Sequence, residues 1–295
     1  MLKRAVIVAS MLLAAVLALH SLLPPLEGFT TILESVLPWL GWGVPVLLLL
    51  ALAARSGLAL GAVLVPGAVW AVMYGGTALG NPPGGDSDLR VGTVNVGVVN
   101  NSSGVAVKTV AGDLDVLAAQ ELTPGGPAAK QLNTMFDNSY TVSTIGLWSR
   151  YPIVERKSID PGLGWKRALR AVLKTPKGDV TVYVMHLGSA RPGQTTARDK
   201  SLAAARELID DDPSERILLL GDLNTATTDR ALDGLTPPLL NAQAEAGDGF
   251  GFTWPSSFPV VRPDHVLYRG MTATWADVAP ASGSDHRAAL AAFRL

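Results

Sequence analysis

Carboxylates, carboxamides and histidines stand at the ends of several short apolar segments of this sequence. In chain order they are Asn95, Glu121, His186, Asp222, Asn224, Asp264, Asp285 and His286. Oxygen donors of this kind suit a hard divalent cation, and a histidine beside a carboxylate suits general acid and base work. Each residue alone is an ordinary turn or strand end, so the functional interpretation depends on their order and on their meeting at one place.

The apolar segments that must position these side chains predict a mixed α/β fold. Alternating or continuous apolar runs predict strands at 90–96, 115–119, 146–153, 167–174, 180–186, 216–221, 264–268, 272–278 and 288–295. Leu202, Ala205 and Ile209 lie on one face of a predicted helix at 195–210. Many strands and few helices indicate an α/β sandwich, whose strand ends can bring polar residues together at one edge.

The first 80 residues differ in composition from the rest. Their charged residues are Lys3, Arg4, Glu27, Glu34 and Arg55. Three apolar stretches, at about 5–23, 36–54 and 57–79, each approach the roughly 20 residues that a membrane-spanning helix needs. We therefore predict a transmembrane region at 1–80, a linker at 81–89 and a globular domain at 90–295. A cleaved signal peptide at the first stretch and a buried soluble hairpin are the alternatives.

Basic residues predict the orientation of these helices in the lipid bilayer. Lys3 and Arg4 precede the first stretch, and Arg55 lies between the second and the third. Basic loops concentrate on the cytoplasmic side of membranes. We expect a multi-pass protein of the cell membrane with a cytoplasmic N-terminus and an extracytoplasmic catalytic domain.

The composition also narrows the classes of function. The chain has no cysteine, which excludes disulfide frameworks, zinc ribbons and thiol nucleophiles. Of its 24 basic and 25 acidic residues, three and four respectively precede residue 90, so 21 of each remain in 90–295. Proteins that bind nucleic acid usually carry a basic excess, so nucleic acid is not the favoured partner.

Seven motifs carry a family resemblance that extends over nearly all of 90–295. They are TVNV (93–96), LAAQE (117–121), LWSRYPI (147–153), VMHLGS (184–189), LLLGDLN (218–224), RPDHVL (262–267) and SDHRA (284–288). In these motifs and their order the sequence resembles the endonuclease/exonuclease/phosphatase superfamily. The resemblance implies a deoxyribonuclease-like four-layer α/β sandwich, preceded here by three transmembrane helices, with the active site at one edge of the two sheets.

The same resemblance implies roles for the oxygen-bearing residues. Glu121 would be the principal ligand of Mg²⁺ or Mn²⁺, and Asn95 and Asp285 would lie near the same ion. Asp222 and Asn224 would orient the attacking water and the phosphate. A divalent ion suits this chemistry because it neutralises a phosphoester that would otherwise repel hydroxide.

It also implies roles for the two histidines of the motifs. His286 would hold the phosphate or act as a base, with Asp264 fixing its tautomer. His186 would stabilise the transition state or protonate the leaving oxygen. Because Mg²⁺ prefers oxygen ligands, we assign both histidines to proton and phosphate work. Arg167, at the start of a predicted strand, is a candidate contact for the substrate phosphate.

Four further polar residues carry weaker signals. We expect Arg150 to be structural and His20, inside the first apolar stretch, to have no catalytic role. Arg198 could reach the site edge from the helix, although we do not favour that role. His265 should point to the opposite face of its strand from Asp264.

The substrate is the part of the resemblance that stays open. Pro263 stands where relatives often have isoleucine or leucine, and the domain is short. Similarity to VanJ-type teicoplanin-resistance membrane phosphatases implies a phosphohydrolase acting on a lipid-linked pyrophosphate of the cell envelope. An anchored nuclease or nucleotide phosphodiesterase and a non-catalytic membrane protein with a decayed site are the alternatives. An apolar rim facing the membrane would favour the first, and a basic groove would favour the nuclease.

Overall fold

Apolar sequence forms three helical segments at the N-terminus of this computed structural model, which describes residues 1–26, 28–80, 84–97, 100 and 102–295. Helix α1 (Leu2–Leu19) continues as a 3-10 turn, and α4 (Gly57–Leu79) is the third segment. Within the described ranges, the segments long and apolar enough to cross a membrane are Leu2–Leu22, Phe29–Ala53 and Gly57–Leu79. Glu27 and residues 81–83 of the predicted linker lie outside the described residues.

The second apolar segment is not the single helix predicted at 36–54. It consists of α2 (Phe29–Val36), a 3-10 segment (Leu37–Trp42) and α3 (Gly43–Ala53). Pro38 has no backbone N–H to donate, so it interrupts the regular helix at this point. Thr30 and Glu34 on α2 are buried, which shows that this helix contacts protein on one side.

The two ends of the helical bundle have different neighbours. At one end Val6, Ala51 and Ala59 pack together, close to Arg55 in the turn between α3 and α4. At the other end Leu17, Leu37 and Tyr74 form a cluster against which Phe250 packs. The basic residues of the bundle therefore lie at the end away from the rest of the protein.

Twelve strands form two six-stranded sheets among the described residues. The first sheet contains β1 (Leu89–Asn95), β2 (Val116–Gln120), β3 (Asn138–Val142), β4 (Ile145–Ser149), β11 (Thr272–Pro280) and β12 (Arg287–Arg294), in the order β11-β12-β1-β2-β4-β3. The second contains β5 (Ile153–Ile159), β6 (Ala168–Thr175), β7 (Gly178–His186), β8 (Ile217–Asp222), β9 (Leu240–Asn241) and β10 (Asp264–Arg269), in the order β5-β6-β7-β8-β10-β9.

Helices cover the outer faces of both sheets and complete a four-layer sandwich. Helices α5 (Ser103–Ala111) and α6 (Pro127–Leu132) pack on the first sheet, and α7 (Thr196–Asp210) packs on the second. The short α8 (Ala242–Ala246) follows β9. The main core lies between the sheets and contains Val91, Ala118, Val182 and Leu220. The predicted α/β sandwich is confirmed.

One predicted strand is wrong in its extent. The run at 146–153 contains most of β4 in one sheet and the first residue of β5 in the other. Between them Tyr151 donates its backbone N–H to Ser149 Oγ at 2.9 Å, and Pro152 has no N–H to donate to a ladder. Strands β3 and most of β5, which carry polar and exposed residues at sheet edges, were not predicted.

Candidate active site

Three neighbouring strands of the second sheet place His186, Asp222 and Asp264 in one row. Asp222 is paired in register with His186 on one side and with Asp264 on the other. Residues paired in register present their side chains to the same face of a sheet. Each of the three stands at the end or start of its strand and is buried, so the row forms the wall of a site at one edge of the sandwich.

The facing sheet contributes Asn95 and Glu121. Asn95 ends β1, in register with Gln120 at the end of β2, and Glu121 follows with a φ of 57°. Asn95 Nδ2 donates to Asp222 Oδ2 at 3.0 Å and so joins the two sheets across the site. Gln120 instead exchanges hydrogen bonds with Thr93, which leaves Glu121 as the carboxylate of this sheet that faces the site.

His286 is oriented by a buried carboxylate. Its Nδ1 hydrogen bonds with Asp264 Oδ2 at 2.8 Å, and Thr253 Oγ1 donates to the same oxygen at 2.6 Å. The backbone N–H of His286 donates to Ser284 Oγ, whose hydroxyl donates to the carbonyl oxygen of Asn95. These bonds turn Nε2 of His286 toward Asp222, with 4.0 Å between Nε2 and Asp222 Oδ2.

The charges around His286 favour its protonated form. Burial by itself would lower its pKa, but the charge of Asp264, the hydrogen bond that His286 donates to Asp264, and the charges of Asp222 and Asp285 together raise the pKa to about 9. Burial and the neighbouring Asp264 raise the pKa of Asp222. The carboxylates around His286 therefore stabilise a positive charge on its ring.

His186 has the opposite electrostatic environment. Burial, with the charges of Arg167 and His286, lowers its pKa to about 4, and Asp222 opposes this only partly. The Arg167 guanidinium donates to Nδ1 of His186, so the ring carries its proton on Nε2. That Nε2 lies 3.8 Å from both Glu121 Oε1 and Asp222 Oδ2. His186 is thus a neutral donor that faces the two carboxylates.

The turn after β8 is shaped by its backbone conformation. Gly221 has a φ of 152°, and an added Cβ would collide with the backbone of Met185 on the neighbouring strand. Asn224 has a φ of 50°, its N–H donates to Asp222 Oδ1 at 2.9 Å, and its Nδ2 donates to the carbonyl of Leu187 at 3.1 Å. The sequence GDLN thus fixes Asp222 within the row of strand ends and holds Asn224 beside it.

Asp285 is exposed and is held by a loop that the sequence did not single out. Trp254 Nε1 donates to Asp285 Oδ2 at 3.1 Å, and the backbone N–H of Ser256 donates to the carbonyl of Asp285 at 2.7 Å. Thr253, Trp254 and the exposed Trp165, whose ring lies 4.9 Å from the Arg167 guanidinium, adjoin the site. An isolated aromatic residue in a loop gives no periodic signal, so only the contacts identify them.

The donor set fits a hard divalent cation. Glu121 and Asp222 each place a carboxylate oxygen 3.8 Å from the same ring nitrogen of His186, so both carboxylates face this part of the site. The buried Oδ1 of Asp264 has no hydrogen-bond partner among the described residues. Asp222, Asp264 and His286 each place one potential ligand atom within 4.8 Å of the others, and the two carboxylates of this group offer oxygen to a cation. Oxygen ligands of this kind are those that Mg²⁺ and Mn²⁺ prefer.

The weaker candidates lie outside the site. Arg198 does not reach its edge, because it is buried and donates to Asp229 at 2.8 Å and to Thr31 on α2 at 3.1 Å. His265 points away from Asp264, and its Nε2 hydrogen bonds with the carbonyl of Thr225 at 2.8 Å. Arg150 donates to the carbonyl of Gly112, and His20 Nδ1 lies 2.9 Å from the carbonyl of Leu17.

Comparison with known proteins gives the following matches. A sequence model of the endonuclease/exonuclease/phosphatase family matches residues 92–286, which is more than half of the chain. D. rerio TDP2 in complex with a single-strand DNA product is similar in structure, with a TM-score of 0.60, 19% identity, and coverage of 71% of this chain and 100% of that chain. The mannosyl-6-phosphatase of Bacteroides thetaiotaomicron is also similar, with a TM-score of 0.56, 17% identity, and coverage of 70% of this chain and 100% of that chain. For beta toxin of Staphylococcus aureus the TM-score is 0.51 and the identity 14%, with coverage of 70% of this chain and 100% of that chain. None of the curated protein sequences compared matches the chain.

Proposed function

The chain belongs to the endonuclease/exonuclease/phosphatase family, and we propose that it is a membrane-anchored, divalent-metal-dependent phosphohydrolase that cleaves a phosphoester or pyrophosphate of a lipid-linked substrate. The observation that carries this proposal is an aromatic rim between the site and the membrane helices. Phe252, Trp254 and Phe258 belong to one loop, and Trp254 and Phe258 are exposed. Trp254 contacts Asp285 of the site, while Phe258 and Phe252 contact Trp39 of the membrane segment.

This rim supports a substrate that is presented at the lipid surface. Tryptophan and other amphipathic aromatic residues favour the boundary between water and hydrocarbon. A phosphate group at that boundary would lie near the level of the site, because the rim joins the site to the helices. The absence of a net basic excess in 90–295, with 21 residues of each sign, also favours a lipid phosphate over a duplex nucleic acid.

The oxygen-bearing residues would hold a divalent ion. In this proposal Glu121 is the principal ligand of Mg²⁺ or Mn²⁺, with Asn95 and Asp285 near the same ion. The bound ion supplies neutralisation of phosphate charge. Asp222 and Asn224, which are linked to each other by a hydrogen bond, orient the attacking water and the phosphate.

The two histidines divide the remaining work according to their charges. His286, with a pKa of about 9, is suited to holding a phosphate oxygen as a cation, with Asp264 fixing its Nδ1 proton. His186, with a pKa of about 4, is suited to donating a hydrogen bond from neutral Nε2 as charge develops on the phosphate. Arg167 sets the His186 tautomer and adds positive charge beside it. We therefore favour phosphate binding over base catalysis for His286.

The placement of basic residues supports an extracytoplasmic site. Lys3, Arg4 and Arg55 belong to the end of the bundle where Val6, Ala51 and Ala59 pack. The catalytic domain docks at the other end. Since the cytoplasmic loops of membrane proteins are enriched in basic residues, we propose that the N-terminus is cytoplasmic and that the site lies on the extracytoplasmic side.

A second candidate is a membrane-anchored nuclease or nucleotide phosphodiesterase that uses the same site. Trp165 favours it, because an exposed indole beside the phosphate-binding candidate Arg167 could stack on a base. One experiment separates the two candidates. The full-length protein in detergent receives undecaprenyl pyrophosphate or plasmid DNA with Mg²⁺ or Mn²⁺, and the His286→Ala variant serves as control. We expect phosphate release from the lipid, lost in the variant, with the plasmid intact; nicked plasmid and untouched lipid would establish the nuclease.

A further inference from the structure

An apolar groove of about 480 Å³ lies where the membrane segments meet the catalytic domain. Its walls include Trp39, Trp42, Pro45, Trp70, Phe250 and Phe252. Pockets for small ligands usually enclose about 300–1,000 Å³, so this groove can accept part of a long hydrocarbon chain. It is separate from the row of carboxylates and histidines that forms the site.

The groove lies at the end of the helical bundle where we expect lipid headgroups to meet acyl chains. Trp39, Trp42 and Trp70 lie in two segments able to cross a membrane, at the end where the catalytic domain docks. Tryptophans concentrate at this boundary in membrane proteins. Trp42 is 69% exposed, and Pro45 lies one turn deeper in α3. The groove is therefore open to lipid.

The chemistry of the walls favours hydrocarbon over a polar occupant. The indole N–H of Trp39 donates to the carbonyl of Val260 at 2.8 Å, and that of Trp70 donates to the carbonyl of Pro38 at 2.8 Å. Two donors that a peptide or a headgroup would need are thus already used. Phe250 and Phe252 stack with their ring centroids 5.2 Å apart and present only carbon. Burial of a hydrocarbon chain against such walls is favourable, at about 25 cal/mol per Å² of apolar surface.

One loop joins the groove to the site. Phe252 lines the groove, and the next residue, Thr253, donates to Asp264 of the site. Trp254 follows and donates to Asp285. Phe258 of the same loop lies 6.1 Å from Trp39, between ring centroids. A chain attached to a phosphate in the site therefore meets an aromatic path that leads to the groove.

We propose that this groove binds the hydrocarbon chain of the lipid-linked substrate and thereby selects long-chain over short-chain phosphates. This inference rests on the proposed function and adds to it the part of the protein that recognises the chain. The phosphate reacts at the site. The hydrocarbon chain of the substrate is recognised by the groove walls on the 3-10 segment, α4 and the loop at 250–252.

The kinetic test compares two pyrophosphates that share a headgroup and differ in chain length. Undecaprenyl pyrophosphate and dimethylallyl pyrophosphate, which has a single isoprene unit, are offered to the full chain in phosphatidylcholine vesicles. We expect Trp42→Ala to raise KM for the long-chain substrate by about fivefold or more, with kcat and the short-chain kinetics unchanged. Phe29→Ala is the matched control, because Phe29 is 68% exposed on α2 but does not line the groove. An equal effect on both substrates, or none on the long one, would overturn the inference.

A binding measurement separates failure of the groove from failure of the proposed function. A polyprenyl pyrophosphate with a diazirine in its chain is photolysed with the His286→Ala variant, and the labelled peptides are identified by mass spectrometry. Labelling of the segments that contain Trp42, Trp70 or Phe250 supports the groove as the chain site. Labelling confined to other lipid-facing helix surfaces overturns it. If the wild type hydrolyses neither pyrophosphate but these segments are labelled, the proposed function fails while chain binding stands.

Discussion

Arg230 Nε donates to Oε1 of Glu34 at 2.5 Å, which fastens the catalytic domain to α2 across 196 residues of sequence. The side chain of Glu34 is 1% exposed, and its second oxygen accepts the backbone N–H of Arg230 at 2.9 Å. The same guanidinium donates to the backbone carbonyls of His20, Ser21 and Leu23 at the end of the first helix. One arginine thus ties two of the segments that are apolar enough to cross a membrane to the domain that carries the site.

We expect Arg230→Met to destabilise this docking. Removing one partner of a buried ion pair leaves an uncompensated charge, which costs about 3–5 kcal/mol. Thermal unfolding of the detergent-solubilised chain should therefore show a lower Tm for the variant. The double variant Arg230→Met with Glu34→Met should recover much of the loss, because two apolar groups replace the pair.

A surface ion pair provides the control for this docking prediction. Arg206 and Asp210 lie 3.5 Å apart one helical turn from each other, and both side chains are about half exposed. Exposed pairs of this kind contribute about 0.3–0.5 kcal/mol, so Arg206→Met should leave the Tm nearly unchanged. A wild-type Tm for Arg230→Met would show that the Glu34 contact contributes nothing to stability.

Asp264→Asn should move the alkaline limit of activity to lower pH. His286 is protonated below its pKa of about 9 and loses its proton as the pH rises through that value, so wild-type activity should fall near pH 9. Without the charge of Asp264 the pKa returns toward its ordinary value of 6.5, and the fall should begin at lower pH. The measurement is the pH profile of kcat/KM.

Thr253→Val is the matched control for this pH profile. It removes the 2.6 Å hydrogen bond to Asp264 but keeps the negative charge beside His286, so its alkaline limit should stay close to that of the wild type. An Asp264→Asn profile that coincides with the wild type would mean that a different group loses the essential proton.

Much of the site could be predicted because its residues are strand ends. Asn95, His186 and Asp222 each close a strand whose apolar pattern is local, so a correct strand prediction also places the side chain. The contacts between the N-terminal helices and the domain that carries the site could not be predicted in this way. Trp39 reaches Val260 across 221 residues, and no periodic pattern encodes such a pair.

Arg198 and the edge strands illustrate the same limit. The helical pattern allowed Arg198 to face the site, but Asp229 and Thr31 hold it toward α2 instead. Strand β5 carries charged, exposed residues because it is a sheet edge, so its sequence lacks the alternation that marks a half-buried strand. The orientation of Arg198 and the edge position of β5 depend on residues that are distant in the sequence, so the local sequence could not predict them.

Glu121→Gln should weaken the binding of the divalent ion that activity requires. The change keeps the shape of the side chain but removes the negative charge of the carboxylate that we propose as the principal metal ligand. Loss of a group that only hydrogen-bonds to a metal ligand commonly costs about 10–100-fold in metal affinity, so loss of the principal ligand should raise the Mg²⁺ concentration for half-maximal activity by at least tenfold. The measurement is a titration of activity with Mg²⁺ after treatment with a chelator.

Glu155→Gln is the corresponding control for the metal titration. Glu155 has 65% of its side chain exposed and pairs with Arg170 at 3.0 Å. It lies on β5, the edge strand of the second sheet, and is not part of the site. Its substitution should leave the Mg²⁺ titration unchanged. A Glu121→Gln titration that overlays the wild type would remove Glu121 from the metal site.

Asp212 should make an acid-sensitive contribution to stability. Burial by itself would raise the pKa of Asp212, but hydrogen bonds from Arg170, Ser214 and Tyr183 hold it well below its ordinary value of 3.8. Because the folded-state pKa is the lower one, the stabilisation is fully present above about pH 5 and is lost as the pH falls through the folded-state pKa. Asp212→Asn removes these charge-assisted bonds and should cost about 2 kcal/mol at pH 7. The difference in Tm between wild type and variant should shrink as the pH falls below about 4.

Asp179→Asn is the matched control for this pH dependence. Asp179 is a half-exposed partner of Lys174, so the Tm of this variant should stay close to that of the wild type at any pH. A wild-type advantage over Asp212→Asn that stays constant down to low pH would show that shape, rather than the charge of Asp212, stabilises this corner of the second sheet.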